Sequence, residues 1–437
     1  MKGLFIFCFA FFSVLLAPSI VQAQSTTIPS SFPLLSYGNH NIEPMGDRSS
    51  LSAGSAIARL GGGDMAWYNP AGVDFDHKLG GILRANGSVY SEAKYEDITG
   101  STKERYTSAS YLSYTTGFGD SIVATFSLAQ PVNQKTVITQ DYSQEQFFGS
   151  YAVKSSYNVN WGRMSYGASL KYSLNNHHFG GGIKYNDYSV LVDMNTYQDD
   201  SNDYVSTRSS NFLRMKTNLN SYQYDIGYQY HSDFGLSIGA MYRSSSTNET
   251  GSSKIEESLS YSQKGNYPGQ GDPNAETELS ESGKASRDFK YREPELTSIG
   301  LAYVTGSFGL EVRYDAYAEM PEYTVMESYN EELNNAVQTS TYAQFGLKDS
   351  KKEVKETSFN INWDYNESAS LIMGYGKSIS NESTMFLVEN FAKYSIGIST
   401  TSDYGVSVIG LNMVESTKND FSKFKILSFI LAGKLDF

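Results

Sequence analysis

From about residue 79 to the last residue, apolar and polar side chains alternate with a period of two in segment after segment. A pleated strand produces that pattern when its two faces meet different media, because successive side chains point to opposite sides. Tyr222, Tyr224, Ile226, Tyr228 and Tyr230 alternate with Gln223, Asp225, Gly227 and Gln229. Phe359, Ile361, Trp363 and Tyr365 alternate with Asn360, Asn362 and Asp364. Met164, Tyr166, Ala168, Leu170, Tyr172 and Leu174 do the same against Ser165, Gly167, Ser169, Lys171 and Ser173. At the end of the chain, Leu427, Phe429, Leu431, Leu435 and Phe437 share one face with Gly433.

Composition indicates which media the two faces meet. The chain carries 34 Tyr, 24 Phe and 38 Gly but only 10 Pro, with a hydrophobic total of 40%. A transmembrane barrel needs apolar residues only on its lipid face and aromatic girdles at both interfaces, which accounts for that mixture. Beyond residue 23 no apolar run reaches the roughly 18 residues of a membrane helix, so helical anchoring is excluded. A formal net charge of −13 argues against nucleic acid as a partner, since phosphates demand a basic surface.

Lys2, the apolar run from Leu4 to Leu16, Pro18 and Val21-Gln22-Ala23 form a secretory leader over residues 1–23, with cleavage expected after Ala23. The single cysteine, Cys8, lies inside that run behind Phe7, which rules out a lipoprotein signal. The mature chain is therefore expected to hold no disulfide, thiolate metal site or cysteine nucleophile.

Connection lengths can be counted against the rule that such barrels alternate short periplasmic turns with longer outer loops. Tight turns are expected at Gly117–Asp120, Trp161–Arg163, His231–Phe234, Thr305–Ser307, Asn366–Ser368 and Thr401–Asp403. Longer polar connections are expected at about 92–104, 131–148, 175–213, 247–293, 320–354, 378–390 and 415–422. These six turns and seven loops join fourteen strands, an even number that leaves both ends in the periplasm. Ile183–Met194 also alternates, but as a membrane strand it would make the count odd, so it is assigned to the third outer loop.

Residues 24–78 show no strand alternation. Small residues cluster in Ser52–Ala58, then come Gly61-Gly62-Gly63-Asp64 and Ala66-Trp67-Tyr68-Asn69-Pro70-Ala71-Gly72. Glycines permit close backbone approach, Asn-Pro and Ala-Gly mark turns, and Leu60, Met65, Trp67 and Tyr68 want burial, so a compact irregular plug is expected. The expected fold is all-β: a fourteen-stranded antiparallel transmembrane outer-membrane β-barrel over 79–437 with a small N-terminal plug over 24–78. Its location is then the outer membrane of a Gram-negative bacterium.

Chemistry-bearing motifs are few. The sequence contains no G-x-S-x-G elbow, H-E-x-x-H or G-x-x-x-x-G-K-[ST], so neither catalytic residues nor a cofactor are expected. His177 and His178 fall in the expected third loop with side chains pointing apart, His231 in a tight turn, and His40 and His77 in the plug region. Asp199-Asp200-Ser201-Asn202-Asp203 lacks the spacing of a calcium loop and is expected to be a solvated loop tip, so no metal is expected.

Ser52–Ala58, Asp64 and Asn69-Pro70-Ala71-Gly72, placed shortly before the first strand, resemble the N-terminal hatch of the FadL/TodX outer-membrane transporters of hydrophobic compounds. That family also has fourteen strands and long third and fourth outer loops, here 175–213 and 247–293. The resemblance implies passive, hatch-gated uptake of small hydrophobic molecules such as long-chain fatty acids or aromatic compounds. Asp64, Asn69, Pro70, Ala71 and Gly72 would serve the hatch, and exit would run sideways through a kink in the third strand. That strand, about Ser121–Gln130, has no Gly or Pro before Pro131, and the fourth loop is polar and charged. The implied partners are the hydrophobic molecule, outer-membrane lipid and the barrel assembly machinery, which reads the terminal Phe437, with the barrel acting as a monomer. Two other readings stand beside it: a FadL-like scaffold or shuttle in type IX-like protein secretion, and a lipid-modifying surface enzyme with a Ser/His pair at one membrane level.

Overall fold

The computed structural model describes residues 45–46, 48–75, 80–97, 100–146, 149–202, 205–265, 272, 275–327, 347–351, 353–366, 368–380, 391–402, 405–416 and 422–436. The leader expected over residues 1–23, with Cys8, and His40, His77, Asp203 and Phe437 lie outside the described residues.

Six strands come first: β1 (Ile82–Asp97), β2 (Gly100–Phe118), β3 (Ile122–Gln146), β4 (Gly149–Leu174), β5 (His177–Asn202) and β6 (Ser206–His231). Four passes are each broken into two pieces. They are β7 (Leu236–Arg243) with β8 (Thr247–Lys264), β9 (Glu276–Asp288) with β10 (Leu296–Thr305), β11 (Phe308–Tyr317) with β12 (Met320–Met326), and β13 (Leu347–Lys351) with β14 (Val354–Asn366). The last four are β15 (Ala369–Ser380), β16 (Phe391–Ser402), β17 (Gly405–Ser416) and β18 (Ser422–Asp436). Sequential passes pair antiparallel, and β1 pairs β18 from Ile82↔Asp436 to Asp97↔Ser422, closing a fourteen-pass barrel. Closure is what lipid demands: an open edge would leave unpaired backbone groups in hydrocarbon.

The period-two pattern sorts as its physics requires. On β6, Tyr224 and Ile226 are 46% and 65% exposed, whereas Asp225 and Gln229 between and beyond them are 2% and 0% exposed. Phe126, Leu170, Ile299, Phe359, Ile396 and Ile409 likewise face outward, while Ser165, Lys171, Glu311, Asn360 and Ser395 are buried in the lumen. The interior of this barrel is polar.

Two expectations about connections fail, and their errors cancel in the strand count. Trp161–Arg163 is not a turn; it lies mid-strand in β4, with Trp161↔Val190 and Arg163↔Tyr188 paired across to β5. The segment 175–213 is not a loop either: a two-residue turn at Asn175–Asn176 leads into β5, which contains Ile183–Met194. The expectation divides β4 in two and leaves out β5, so the count of fourteen holds although these two assignments do not. Likewise 247–293 is largely β8 and β9, and β1 to β4 extend through most of 92–104 and 131–148. The long third and fourth loops that the resemblance implies are therefore strands here.

The physical reason is strand length. β4, β5 and β6 each run 26 residues, roughly 85 Å at about 3.3 Å per residue. A tilted strand crosses the hydrocarbon in about 9–11 residues. The surplus rises beyond the membrane as sheet, where the outer face meets water and needs no apolar residues. Polar composition there reads as loop although the backbone is still paired.

Two measurements check this placement. Cysteine at Tyr197, exposed on the upper part of β5, is expected to react with a membrane-impermeant maleimide on intact cells, whereas cysteine at Ile226 is not. Leu170→Arg, on the lipid face, is expected to cost about 2–4 kcal/mol in urea unfolding from liposomes.

Candidate functional site

The segment from Met45 to Phe75 lies in the lumen, where irregular backbone needs hydrogen-bond partners that only the wall can supply. It contains two short 3-10 turns, Arg48–Leu51 and Pro70–Gly72, and one helical turn, α1, Met65–Tyr68. Inward side chains from strands all around the barrel serve its main chain. Glu311 accepts from the Ile57 and Ala58 N–H groups, both at 2.7 Å, and from Arg59 Nε at 3.2 Å. Gln229 donates to the Ile57 carbonyl at 2.6 Å and Lys171 to that of Val73 at 2.7 Å. Arg313 donates to the Gly54 carbonyl at 2.9 Å, Ser395 to that of Leu51 at 2.5 Å, and Tyr111 to that of Gly63 at 2.8 Å.

Where no side chain intervenes, the wall is glycine. A Cβ on Gly227 would fall on Asn69 Oδ1, one on Gly180 against the Ala71 amide, and one on Gly239 against the Ile57 carbonyl. The lumenal backbone thus rests directly on β5, β6 and β7.

A cluster of buried charge surrounds Trp67. Asp225 takes Lys184 on one oxygen and Arg243 Nε on the other at 2.8 Å, while Arg243 also donates to the Trp67 carbonyl at 2.6 Å. Lys184, Arg243 and Arg163 stand 4.3, 5.2 and 5.8 Å from the indole centroid, within cation–π reach. Arg163 is itself paired with Glu293. Beside this cluster, burial pushes the Tyr68 phenol well above its ordinary pKa, keeping it neutral where its hydroxyl donates to the Met45 carbonyl at 3.0 Å.

Different surroundings flank the segment on its two sides. Toward the loop end, Trp161, Tyr188, Val192, Met215, Ile255 and Tyr291 belong to a buried apolar cluster, with Tyr291 5.0 Å from Trp161 and 5.6 Å from Tyr188 between ring centroids. Toward the turn end lies a cavity of about 610 Å³ whose lining includes Arg48, Arg59, Arg84, His231 and Ser237. The wall also parts between β2 and β3. Among the described residues the β2–β3 ladder ends at Tyr111↔Ala129, although β2 continues paired to β1 and β3 to β4. The β3–β4 register shifts between Ala129 and Val132, at Pro131, which has no N–H to donate.

Comparison with solved structures bears on this arrangement. The toluene transporter TodX of Pseudomonas putida matches with a TM-score of 0.57 over 95% of this chain and 100% of that one, at 13% identity. A FadL homologue from Pseudomonas aeruginosa gives 0.57 over 95% and 100% at 12% identity. The toluene transporter TbuX of Ralstonia pickettii gives 0.55 over 91% and 99% at 12% identity. The chain has the FadL/TodX barrel fold. No family model matches the sequence, and no curated protein matches it at the sequence level.

Within this FadL/TodX fold, four of the five residues singled out in the sequence come together. Asn69, Pro70, Ala71 and Gly72 are buried against β5 and β6, with Asn69 accepting from the Ala71 N–H at 3.1 Å and donating to the Ile57 carbonyl at 2.9 Å. Asp64 stands apart from them. It is buried against Gly46 and precedes α1 without capping it through its side chain. His177 and His178 are not in an outer loop but beside the turn at 175–176, and they do point apart: His178 meets His231 in the lumen, His177 meets Tyr228 and Tyr230. Sequence reasoning missed Glu311, Arg243, Lys184 and Arg163 as residues that hold the segment. The available signal was a charged side chain at an inward position of an alternating strand.

Glu311→Ala is expected to release the Ile57–Arg59 stretch at a cost of about 3–5 kcal/mol, the range for breaking a buried charge pair. Faster amide exchange there, with exchange across β11 unchanged, is the readout. Gly227→Val is expected to displace Asn69 and give the same local signature.

Proposed function

We propose that the chain is a passive channel of the outer membrane for small hydrophobic molecules, with the lumenal segment as its hatch. The observation that carries the reading is the order of layers along the lumen: an apolar cluster at the loop end, the charge-held segment around Trp67, then the cavity at the turn end. An apolar molecule gains by leaving water for the first layer and is stopped by the second until the segment shifts. Asn69, Pro70, Ala71 and Gly72 are the seat on which it moves, because at Gly180 and Gly227 it rests on bare backbone, with Asn69 donating to the Tyr228 carbonyl at 3.3 Å. Asp64 works from the far side, where it braces Gly46. The parted β2–β3 ladder at Pro131 supports a sideways exit into the membrane.

Toluene is the compound named for TodX and TbuX, and it sets the scale of ligand to try first. A leader removed after Ala23, recognition of Phe437 by the assembly machinery and a monomeric barrel complete this reading.

The secretion-scaffold reading is favoured by one observation, the height to which β3 to β6 rise beyond the membrane. The lipid-enzyme reading gains less. Ser237, His231 and Gln229 do form a hydrogen-bonded chain at 2.7 and 3.0 Å, but it faces the lumen, and Gln229 is engaged by the Ile57 and Arg59 carbonyls.

Native mass spectrometry with extraction of the detergent-purified protein tests the channel against the scaffold. The intact chain is expected to retain an apolar ligand, and replacement of Asn69-Pro70-Ala71 by three serines to change that retention. A co-purifying protein with no apolar ligand in either form would replace the channel reading by the scaffold.

A further inference from the structure

Three neighbouring passes lose their regularity at one height. β7 gives way to β8 at 244–246, β9 to β10 at 289–295 and β11 to β12 at 318–319. Between the second and third of these passes the ladder stops. Below the break the Ala318 N–H donates to the Glu295 carbonyl at 3.0 Å, and above it the Lys290 N–H donates to that of Val325 at 2.8 Å, beside the isolated Phe289↔Met326 bridge. Tyr291–Pro294 faces Glu319–Thr324 across the interval, four residues against six, and Pro294 and Pro321 each remove a donor. Side chains tie the stretch instead. The Arg292 N–H donates to the Tyr323 hydroxyl at 3.1 Å and the Glu293 N–H to Ser246 Oγ at 2.8 Å.

A cavity of about 490 Å³ occupies this break, lined by Ser246, Glu249, Lys290, Arg292, Pro321 and Tyr323 among others. Lys290, Arg292 and Pro321 are exposed at its rim. Behind it stand Tyr291, Val325 and Met326, which belong to the apolar cluster, and Tyr323 packs against that cluster. On the outer surface just below, Tyr242, Ile299, Leu301 and Tyr314 are exposed. Among them Tyr242, paired with Thr297, stands near the upper end of the lipid-facing belt, where aromatic side chains mark the head-group level.

We infer that this break is a side portal through which hydrophobic molecules dissolved in the outer leaflet reach the lumenal apolar cluster. The inference rests on the channel reading above, but it concerns admission at the loop end and lies on a different wall from the β2–β3 parting. Its chemistry selects amphiphiles with one polar or anionic end: the apolar part passes Pro321 and Tyr323, and the polar end stays with Lys290 and Arg292. Tyr323 is the shutter. Its ring lies 5.2 Å from the Arg292 guanidinium and its hydroxyl holds the Arg292 amide, so turning it opens the way to Tyr291.

The test uses the full-length protein in cells, with radiolabelled toluene and a spin-labelled alkyl carboxylate as probes. Because Cys8 falls in the leader and is the single cysteine, cysteine placed at Pro321 can be modified alone with a bulky maleimide. Each variant serves as its own reference before and after modification. Modification at Pro321 is expected to bring uptake of the alkyl carboxylate to background, while the same adduct at Tyr197 leaves the rate unchanged. Tyr323→Ala is expected to raise it. If unmodified protein takes up neither probe, the channel reading fails and the portal with it. If uptake of the alkyl carboxylate proceeds normally with Pro321 blocked, or falls equally with Tyr197 blocked, the portal is overturned and the channel stands.

Discussion

Inside a bilayer every backbone N–H and C=O must find its partner within the protein, and this barrel meets that demand by pairing β18 back onto β1 over fifteen registered positions. The remaining features follow from that closure. A closed sheet has an inside, and strands that show apolar residues to lipid must show their alternate residues inward. The lumen is thereby stocked with Glu311, Asp225, Arg243, Lys171 and Gln229, which a soluble sandwich of this size would not bury. The same polar face lets thirty or so residues of irregular backbone live there, since wall side chains such as Glu311, Gln229 and Arg313 take up carbonyls and amides that secondary structure leaves unpaired.

Charges in the lumen are arranged in pairs before they meet the segment. Asp225 balances Lys184 and Arg243, and Glu356 balances Lys393 at 2.7 Å, so a cation can hold a carbonyl without standing alone in a low-dielectric interior. Glycine does the opposite job. At Gly227 and Gly180 the wall withdraws its side chains and lets Asn69 and Ala71 lie on bare backbone. Polar ties reach the segment from the whole circumference, β5 and β6 included, and the glycines let Asn69 and Ala71 approach the wall between those ties.

Alternation made much of the barrel legible, and the Tyr222–Tyr230 run assigned inward and outward faces correctly to the residue. Alternation does not say where the membrane stops. Trp161-Gly162-Arg163 looked like a turn because a glycine and a cation sit beside a polar tract, yet Arg163 is buried in an ion pair with Glu293, a partner 130 positions away. The stretch 175–213 reads as a loop because the outer half of β5 within it faces water on one side. For the site, Asn69 to Gly72 stood out by composition, whereas Glu311 was one acidic residue in an ordinary strand pattern. Its importance depends on which residues the fold brings opposite it, and spacing carries no record of that.

The sequence alone determined that this chain forms strands with two unlike faces and that a small-residue segment precedes them. Those are local properties, written in a period of two and a run of glycine, serine and alanine. Only the tertiary structure decided how tall the strands stand, which glycines face the lumenal backbone, which charges pair around Trp67 and where the ladder parts. Each of these depends on register between strands far apart in sequence, and a shift of one residue would exchange every inward side chain for an outward one.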